Sequence, residues 1–350
     1  MSEPVDTGTS TIFHEGELAV QERAGALVMA SRVGRGIRTE VPAIVATFLG
    51  TQRMAFVGTL DADGRPWASV LTGPAGFARS PNEHTVLIAA TPTPGDPIIE
   101  NLGSRAGAAA EQPWSAPVGV LVVDFMTHRR LRVNGRGTLR TVGEPHGGLR
   151  DGLRREGERE LQRELYIEVE QVYSNCHKHI QTRAIDDDTP PLHSEAARVQ
   201  RNRGLSDAQR DWIRCADTFA IASAHPTAGT DCSHRGGTPG FVHVDGDRLT
   251  WPDYVGNSLF NTLGNITAYP RAGVIFVDFD SGATLQLTGC AAVDWDAEQV
   301  ASVPGAQRLV TFDVDEAIEV SCAVPFHFRL IERSRFNPPP WPERLLARTG

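Results

Sequence analysis

At 350 residues the chain is long enough to form two domains that each bury a core. Its net charge of −9 argues against binding to nucleic acid, because that binding depends on clustered lysine and arginine. Residues 1–10 are acidic and polar, and the longest apolar runs elsewhere have the length of strands. We therefore expect a soluble, cytoplasmic protein that makes no membrane contact.

Five cysteines are scattered along the sequence, and their number is odd. This usage is typical of free thiols in a reducing cytosol rather than of a disulfide framework. No cysteine pair has a zinc-type spacing.

The first half begins with apolar positions at helical spacing and continues as a series of strands. Helices are predicted over 16–30 and 39–50, and an Asp-Gly turn at 61–66 predicts a hairpin. The predicted strands are 54–60, 67–71, 85–90, 118–125, 131–139 and 165–173.

A charged, proline-marked stretch at 186–191 then predicts a domain boundary before Gly204. The second half opens with a helix capped by Ser206 and running to about 216. Strands are predicted at 219–224, 231–233, 240–244, 248–251, 272–278, 284–294 and 326–333, with a short helix at 258–269.

The two halves repeat the same pattern. Val118–Phe125 with 131–135 returns as 272–279 with 285–289, at an offset of 154 at both ends (279 − 125 and 289 − 135). Two copies at a domain-sized period indicate duplication of a whole β domain. We predict a mainly β protein with short helices, divided into an N-terminal domain 1–185, a linker 186–204 and a C-terminal domain 205–350 with a Pro-rich tail. Each β domain is expected to be a small closed barrel, which leaves no exposed sheet edge.

Polar residues concentrate in three segments of the second copy. Residues 231–241 place Ser233, His234 and Arg235 at a strand end beside two glycines, which indicates either close approach to a flat ligand or an exposed turn. Residues 252–266 lead through Gly256-Asn257-Ser258 into a helix, which indicates an anion site or an ordinary N-cap. Residues 269–273 place Arg271 before a buried strand, as a ligand contact or a surface turn.

Together these segments resemble the flavin-nucleotide-binding members of the pyridoxamine 5′-phosphate oxidase superfamily. The resemblance covers about residues 205–295 closely and 40–183 more loosely. It implies two split β-barrels in tandem, forming an internal pseudo-dimer, with FMN bound where the barrels meet. The implied FMN-binding residues are Ser233, His234 and Arg235 along the ring, Asn257, Ser258, Asn261 and Thr262 around the phosphate, and Asp253 and Tyr254 from the same motif.

The first copy departs from this pattern. Residues 95–102 stand where 256–263 stand in the second copy, and Asp96, Pro97 and Glu100 do not suit a phosphate site. One FMN per chain is therefore expected. Trp67 and Ser69 of the first copy, and its basic run Arg129, Arg130 and Arg132 with Asn134, are candidates for the opposing wall, for a substrate-anion contact or for a solvated face.

A metal site from His14, Cys176, His177 and His179 is a minor alternative, since the spacing matches no strong metal motif and His177 and His179 would share one face of a strand. We predict no metal.

The predicted function is an FMN-dependent oxidoreductase that acts on a small organic substrate or reduces its flavin with NAD(P)H. His234 is the candidate proton donor because histidine titrates near neutral pH, and Ser233 is the second candidate. A flavin or haem binding or sensing protein without turnover, and a specialised-metabolism enzyme on the same fold, are the alternatives. The chain is expected to act as a monomeric pseudo-dimer or as a homodimer.

Overall fold

The structure is a computed structural model that describes residues 12–103, 115–142, 163–187, 189, 192 and 197–341. Residues 1–10, part of the predicted linker and the end of the C-terminal tail lie outside the described residues. Among those described, no helix is long and apolar enough to cross a membrane. All five cysteines are unpaired.

The first unit consists of three helices, a seven-stranded antiparallel sheet and a short fourth helix. The helices are α1 (Glu15–Arg23), α2 (Leu27–Gly34), α3 (Ala43–Gly50) and α4 (Ile98–Leu102). The strands are β1 (Met54–Leu60), β2 (Pro66–Thr72), β3 (Ala78–Asn82), β4 (Thr85–Ala89), β5 (Ala116–Asp124), β6 (Arg129–Thr141) and β7 (Arg163–Ser174).

The second unit follows two short connecting strands, β8 (Thr182–Ile185) and β9 (Val199–Asn202). Its helices are α5 (Asp207–Cys215), α6 (Asn261–Ala268) and α7 (Ala297–Ser302). Its strands are β10 (Thr218–His225), β11 (Gly229–Gly236), β12 (His243–Asp245), β13 (Arg248–Asp253), β14 (Arg271–Val277), β15 (Thr284–Asp294) and β16 (Arg308–Val320), and β17 (Phe328–Glu332) pairs with β8.

The two sheets have the same strand order. The first runs β2-β1-β5-β6-β7-β4-β3 and the second runs β11-β10-β14-β15-β16-β13-β12, so each strand of one unit has a counterpart in the other. The duplication and the two tandem split-barrel units are therefore as predicted. Neither described sheet closes on itself, so the expectation of fully closed barrels was wrong.

Repeated glycines mark where the two units pack together. A Cβ on Gly119 would clash with the Asp231 backbone, and a Cβ on its counterpart Gly273 would clash with Pro66 and Trp67. Each unit thus places a glycine of its β5-type strand against the β2-type strand of the other, the reciprocal contact of an isologous interface. This arrangement is the predicted internal pseudo-dimer.

The apolar core is divided in the same way. One buried cluster fills each unit, and a third lies between them around Phe56, Leu121, Ala222 and Ile275.

The sequence prediction missed β16, whose charged residues alternate with buried ones, and β3, an edge strand with only one buried residue. It also placed helix 258–269 three residues early, because Ser258 and Phe260 adopt left-handed backbone and α6 begins at Asn261.

Candidate functional site

A cavity of about 120 Å³ opens between the two units at the end of β11. We call it the arginine cavity. All nine residues that the sequence predicts for the second unit line it: Ser233, His234, Arg235, Asp253, Tyr254, Asn257, Ser258, Asn261 and Thr262. The first unit and the segment that follows β7 contribute Arg130, Arg132, Asn175, Cys176, Lys178 and His179. The fold therefore brings together residues 233–235 and residues 253–262, which lie about twenty positions apart in the sequence.

Trp67 does not line this cavity. It is 2 % exposed and packs with Ile318 and Val320, and its indole N–H donates to Asp61. Trp67 therefore does not form the opposing wall of this cavity as predicted, because β2 faces the pseudo-equivalent position.

Arg132 reaches from β6 of the first unit into the second. It is 3 % exposed and donates to Asp231 Oδ1 at 2.8 Å, to the Tyr173 hydroxyl at 3.0 Å and to Ser233 Oγ. Although burial alone would lower it, the pKa of Arg132 is raised by Tyr173 and Asp231. The guanidinium therefore stays charged and ties the wall of the cavity together across the interface.

Arg130 lies beside Arg132 and has no such compensation. Its guanidinium is 3.2 Å from His234 Nδ1, and its Nε has no hydrogen-bond partner among the described residues. Burial, opposed by Cys176 and assisted by the charges of Arg235 and Arg132, lowers the pKa of Arg130 to about 10. Arg130 is thus a partly buried cation without a carboxylate partner among the described residues, the kind of group whose charge a bound anion neutralises.

Arg235 is the second cation with spare hydrogen-bonding capacity. It donates to the His234 carbonyl of its own strand, lies 3.8 Å from Asp253, and its Nε is unpartnered among the described residues. Burial lowers the pKa of Arg235 and raises that of Asp253. The two form a weak pair rather than a hydrogen-bonded one, so Arg235 remains available to a ligand.

The residues predicted to surround the phosphate are mostly engaged with other protein groups. Asn257 accepts from the Leu259 N–H and donates to Asn175. Asn261 donates to Glu17, and Thr262 donates to Ser233 at 2.9 Å. Donors without a protein partner among the described residues therefore include Nε of Arg130 and Nε of Arg235.

His234 does not have the property for which the sequence singled it out. Burial, together with the charges of Arg130 and Arg235, lowers the pKa of His234 well below its usual value. Since Arg130 donates to Nδ1, the proton of the neutral ring lies on Nε2, which has no partner among the described residues. His234 is thus a neutral hydrogen-bond donor near pH 7, not a group that exchanges a proton there.

Ser233, the second candidate proton donor, is engaged by other protein groups. Its hydroxyl oxygen accepts from Arg132 and Thr262, and no general base is among its hydrogen-bond partners in the described chain.

The N-terminal helix is a part of the site that the sequence did not predict. A Cβ on Gly16 would clash with the Gly264 carbonyl, and one on Gly264 would clash with Glu17, so α1 crosses α6 at contact distance. Glu17 thereby reaches Asn261 and is buried. Burial, with the nearby charge of Asp231, raises the pKa of Glu17 to about 8.

The first unit contains the pseudo-equivalent position, which is filled from within. Asn101 donates to Thr59 as Asn265 donates to Ser223, so the short helices align at an offset of 164 (223 − 59 and 265 − 101), three residues beyond the motif alignment. Asp96 accepts from Ser69, from the Ile98 N–H and from Gln286, the counterpart of Arg132. Burial raises the pKa of Asp96 to about 6. A protein carboxylate thus occupies the donors that a ligand anion would need.

The structure does not group His14 with His177 and His179, as the alternative metal site required. His177 and His179 are not on a strand, and they contact Phe336 and Tyr254 separately. His14 instead lies with Glu15 and His225, whose ligand atoms are within 4.8 Å of one another.

The tautomers of this cluster do not suit a metal ion. His225 Nδ1 accepts from the backbone N–H groups of Thr227 and Ala228, which puts its proton on Nε2, 2.8 Å from Glu15. His14 Nδ1 likewise accepts from Glu17 N–H. Both Nε2 atoms therefore carry the protons that metal binding would have to displace.

Comparison with known proteins found no matching family model and no matching curated protein. Among solved structures, the matches are pyridoxamine 5′-phosphate oxidase-like split-barrel proteins. HupZ of Group A Streptococcus is 12 % identical, covering 32 % of this chain and 90 % of its own, with a TM-score of 0.27. A candidate pyridoxamine 5′-phosphate oxidase of Lactobacillus delbrueckii is 13 % identical over 37 % and 98 % (TM-score 0.28), and an F420 reductase is 15 % identical over 36 % and 98 % (TM-score 0.23). These scores carry no argument about function, and the fold assignment depends on the repeated strand order.

Proposed function

We propose that the chain binds one FMN in the arginine cavity and acts as a flavin-dependent oxidoreductase on a small organic substrate. The observation that carries the proposal is the uncompensated, partly buried charge of Arg130, next to the spare donors of Arg235. An anionic cofactor would neutralise these groups, and the phosphate of FMN supplies such an anion. The motif resemblance of residues 231–278 supports a flavin in particular.

The pseudo-equivalent position favours a stoichiometry of one. Gln286 replaces Arg132 there, and Asp96 already accepts the donors of Ser69 and Ile98. A second phosphate would meet a buried carboxylate and no arginine, so like-charge repulsion disfavours it.

The cavity must widen to admit the cofactor. Its volume of about 120 Å³ is below the roughly 300–1,000 Å³ of typical ligand pockets. Arg235 is the side chain most able to move, because it is held only by a backbone carbonyl and a weak pair with Asp253. We infer that Arg235 turns toward the bound anion.

The protein residues bind and orient, and they do not supply acid–base chemistry at neutral pH. A bound flavin supplies hydride or electron transfer. His234 Nε2–H can donate to a ligand carbonyl, because its ring is neutral. Ser233 is held in place by Arg132. The two units enclose the cavity between them and so limit the access of water. This division of roles agrees with a sequence that has no catalytic dyad.

Anaerobic reduction tests the proposed reaction. FMN-loaded protein is mixed with NADH or NADPH while the visible flavin absorbance is followed, and dithionite serves as the positive control. The proposal expects bleaching by at least one nucleotide. If only dithionite bleaches the flavin, the protein is a binding or sensing protein with respect to these donors.

A haem-binding protein is a second candidate because of His179. The Asn337 amide nitrogen donates to Gln181, so the Asn337 amide oxygen faces His179 Nδ1 at 3.4 Å and accepts its proton. The lone pair of the neutral His179 ring therefore lies on Nε2, and His179 lines the arginine cavity. Burial lowers the pKa of His179 to about 4, so the ring is neutral. Haem binding that His179→Ala abolishes, in protein that does not retain FMN, would favour this candidate.

Arg235→Ala is expected to weaken FMN binding by about 1.5–3 kcal/mol, the usual range for a hydrogen bond to a charged group. The matched control is Arg214→Ala, since Arg214 is exposed and paired with Asp211 outside the cavity. Fluorescence titration of the apoprotein measures both. Equal affinity in the two variants would mean that Arg235 does not contact the cofactor.

A further inference from the structure

The carboxylate of Asp253, in the wall of the arginine cavity, lies between two arginines. Arg235 Nη2 is 3.8 Å from Asp253 Oδ1, and Arg308 Nε is 3.5 Å from Asp253 Oδ2. Neither contact is a hydrogen bond, and Nε and Nη1 of Arg308 have no hydrogen-bond partner among the described residues. Burial raises the pKa of Asp253, and the charges of Arg235 and Arg308 oppose this rise. Two cations therefore share one mostly buried carboxylate, and neither holds it tightly.

The two arginines differ in their freedom to move. Arg308 faces Asp253 directly across the β13–β16 ladder, and it does not line the cavity. Its guanidinium carbon lies 4.8 Å from the ring centre of Phe260 and 4.9 Å from that of Trp295. Arg235 lines the cavity and has no such stacking contact among the described residues. Arg308 is therefore the fixed partner of Asp253, and Arg235 is the movable one.

The first unit lacks this arrangement. Starting from the repeat offset of 154, the strand registers align Arg235 with Leu71 and Asp253 with Ala90. Both counterparts are apolar and buried. Of the two units, only the one whose residues form the arginine cavity has the carboxylate between two cations.

We propose that Asp253 holds Arg235 in a resting position rather than contacting the cofactor, and that Arg308 is a positioning residue that keeps Asp253 paired when Arg235 turns toward the bound anion. This proposal rests on the proposed function, in which the cavity binds FMN. The phosphate and Asp253 compete for the Arg235 guanidinium, because each would form a charge-assisted pair with it. The spare donors of Arg308 can then close on the carboxylate, which avoids leaving a buried charge unpaired.

Asp253→Asn tests the competition. The amide no longer attracts Arg235, so FMN affinity, measured by fluorescence titration of the apoprotein, is expected to rise at least about threefold. An FMN affinity that is unchanged or lower in this variant would overturn the proposal, and a lower one would indicate that Asp253 contacts the cofactor.

A double-mutant cycle tests the role of Arg308. Arg308→Met keeps an apolar stem against Phe260 and should weaken FMN binding at least about fivefold, because Asp253 then attracts Arg235 alone. In the Asp253→Asn background, the same substitution should change the affinity less than about twofold. Equal losses in both backgrounds would show that Arg308 acts on the phosphate only through its charge, and would overturn the proposal.

The other end of the same strand pair supplies matched controls. Arg248 and Asp313 also face each other across β13 and β16, but this pair is exposed and does not line the cavity. Arg248→Met and Asp313→Asn should each leave the FMN affinity within about twofold of wild type. Failure of the wild-type protein to bind FMN would overturn the proposed function and this proposal with it. FMN binding that is insensitive to Arg308 and Asp253 would overturn this proposal alone.

Discussion

Arg132→Met is expected to lower the free energy of unfolding by about 3–5 kcal/mol, the usual cost of leaving one partner of a buried ion pair. The Asp231 carboxylate would remain buried with only the amides of Asn134 and Asn265 as partners. Burial makes an uncompensated charge expensive, because the interior solvates it poorly. Urea unfolding of the variant and the wild type measures the difference.

The duplication supplies the control for this experiment. Gln286 occupies the pseudo-equivalent position, is also fully buried, and donates to the Ala68 carbonyl at 2.9 Å. Gln286→Met removes the hydrogen bonds of an uncharged side chain to Ala68 and Asp96 but leaves Asp96 its donors Ser69 and Ile98 N–H, so it should cost about 1–2 kcal/mol. The double variant Arg132→Met/Asp231→Leu should recover part of the loss, because no charge remains buried. Equal losses for Arg132→Met and Gln286→Met would refute the asymmetry between the two positions.

Glu17→Gln is expected to reduce the pH dependence of stability. The folded protein holds the Glu17 proton up to about pH 8, whereas the ordinary pKa of the side chain is 4.5. The folded state therefore binds the proton more tightly across that window, and the wild-type free energy of unfolding falls as the pH rises from about 4.5 to about 8. Above that range the contribution is constant.

The expected size of this effect is at most about 5 kcal/mol between the two ends of the window, since one pKa unit corresponds to about 1.4 kcal/mol. Urea unfolding at several pH values compares wild type with Glu17→Gln and with Glu22→Gln, a control on the exposed side of α1. The control should follow wild type, while Glu17→Gln should show a flatter profile. Parallel profiles for all three proteins would mean that Glu17 is ionised in the folded state.

The sequence predicts the fold well where patterns repeat. The strand pair 118–125 and 131–139 and its copy at an offset of 154 place the centres of both sheets correctly. The glycines preserved in that repeat pack across the interface at Gly119 and Gly273. β16 was missed because charged residues alternate with buried ones in its middle, although its role as the counterpart of β7 follows once the strand order is known.

The candidate site is predicted only in part. Local motifs identify β11 and the approach to α6, since those residues are close in sequence. Glu17 and Arg132 come from distant elements, and their roles depend on which faces pack together. One signal was available: at the repeat offset of 154 the charged Arg132 of the first copy aligns with the uncharged Gln286 of the second.

The pKa of His234 was beyond the reach of sequence. A histidine in a polar motif suggests titration near neutral pH, but the pKa of His234 is lowered by burial and by the approach of Arg130, His179 and Arg183, which occur only in the folded chain. The same packing makes the neutral ring of His234 a hydrogen-bond donor through Nε2–H.

Saturation titration of the apoprotein with FMN tests the central claim most directly. The bound flavin is quantified by absorbance after denaturation and compared with the protein concentration, and Arg130→Met is titrated in parallel. We predict one FMN per wild-type chain, because Asp96 already fills the pseudo-equivalent position. We predict much weaker binding in Arg130→Met, because the variant lacks the cation that would pair with the phosphate. Two FMN per chain, or one that binds equally well without Arg130, would contradict the account.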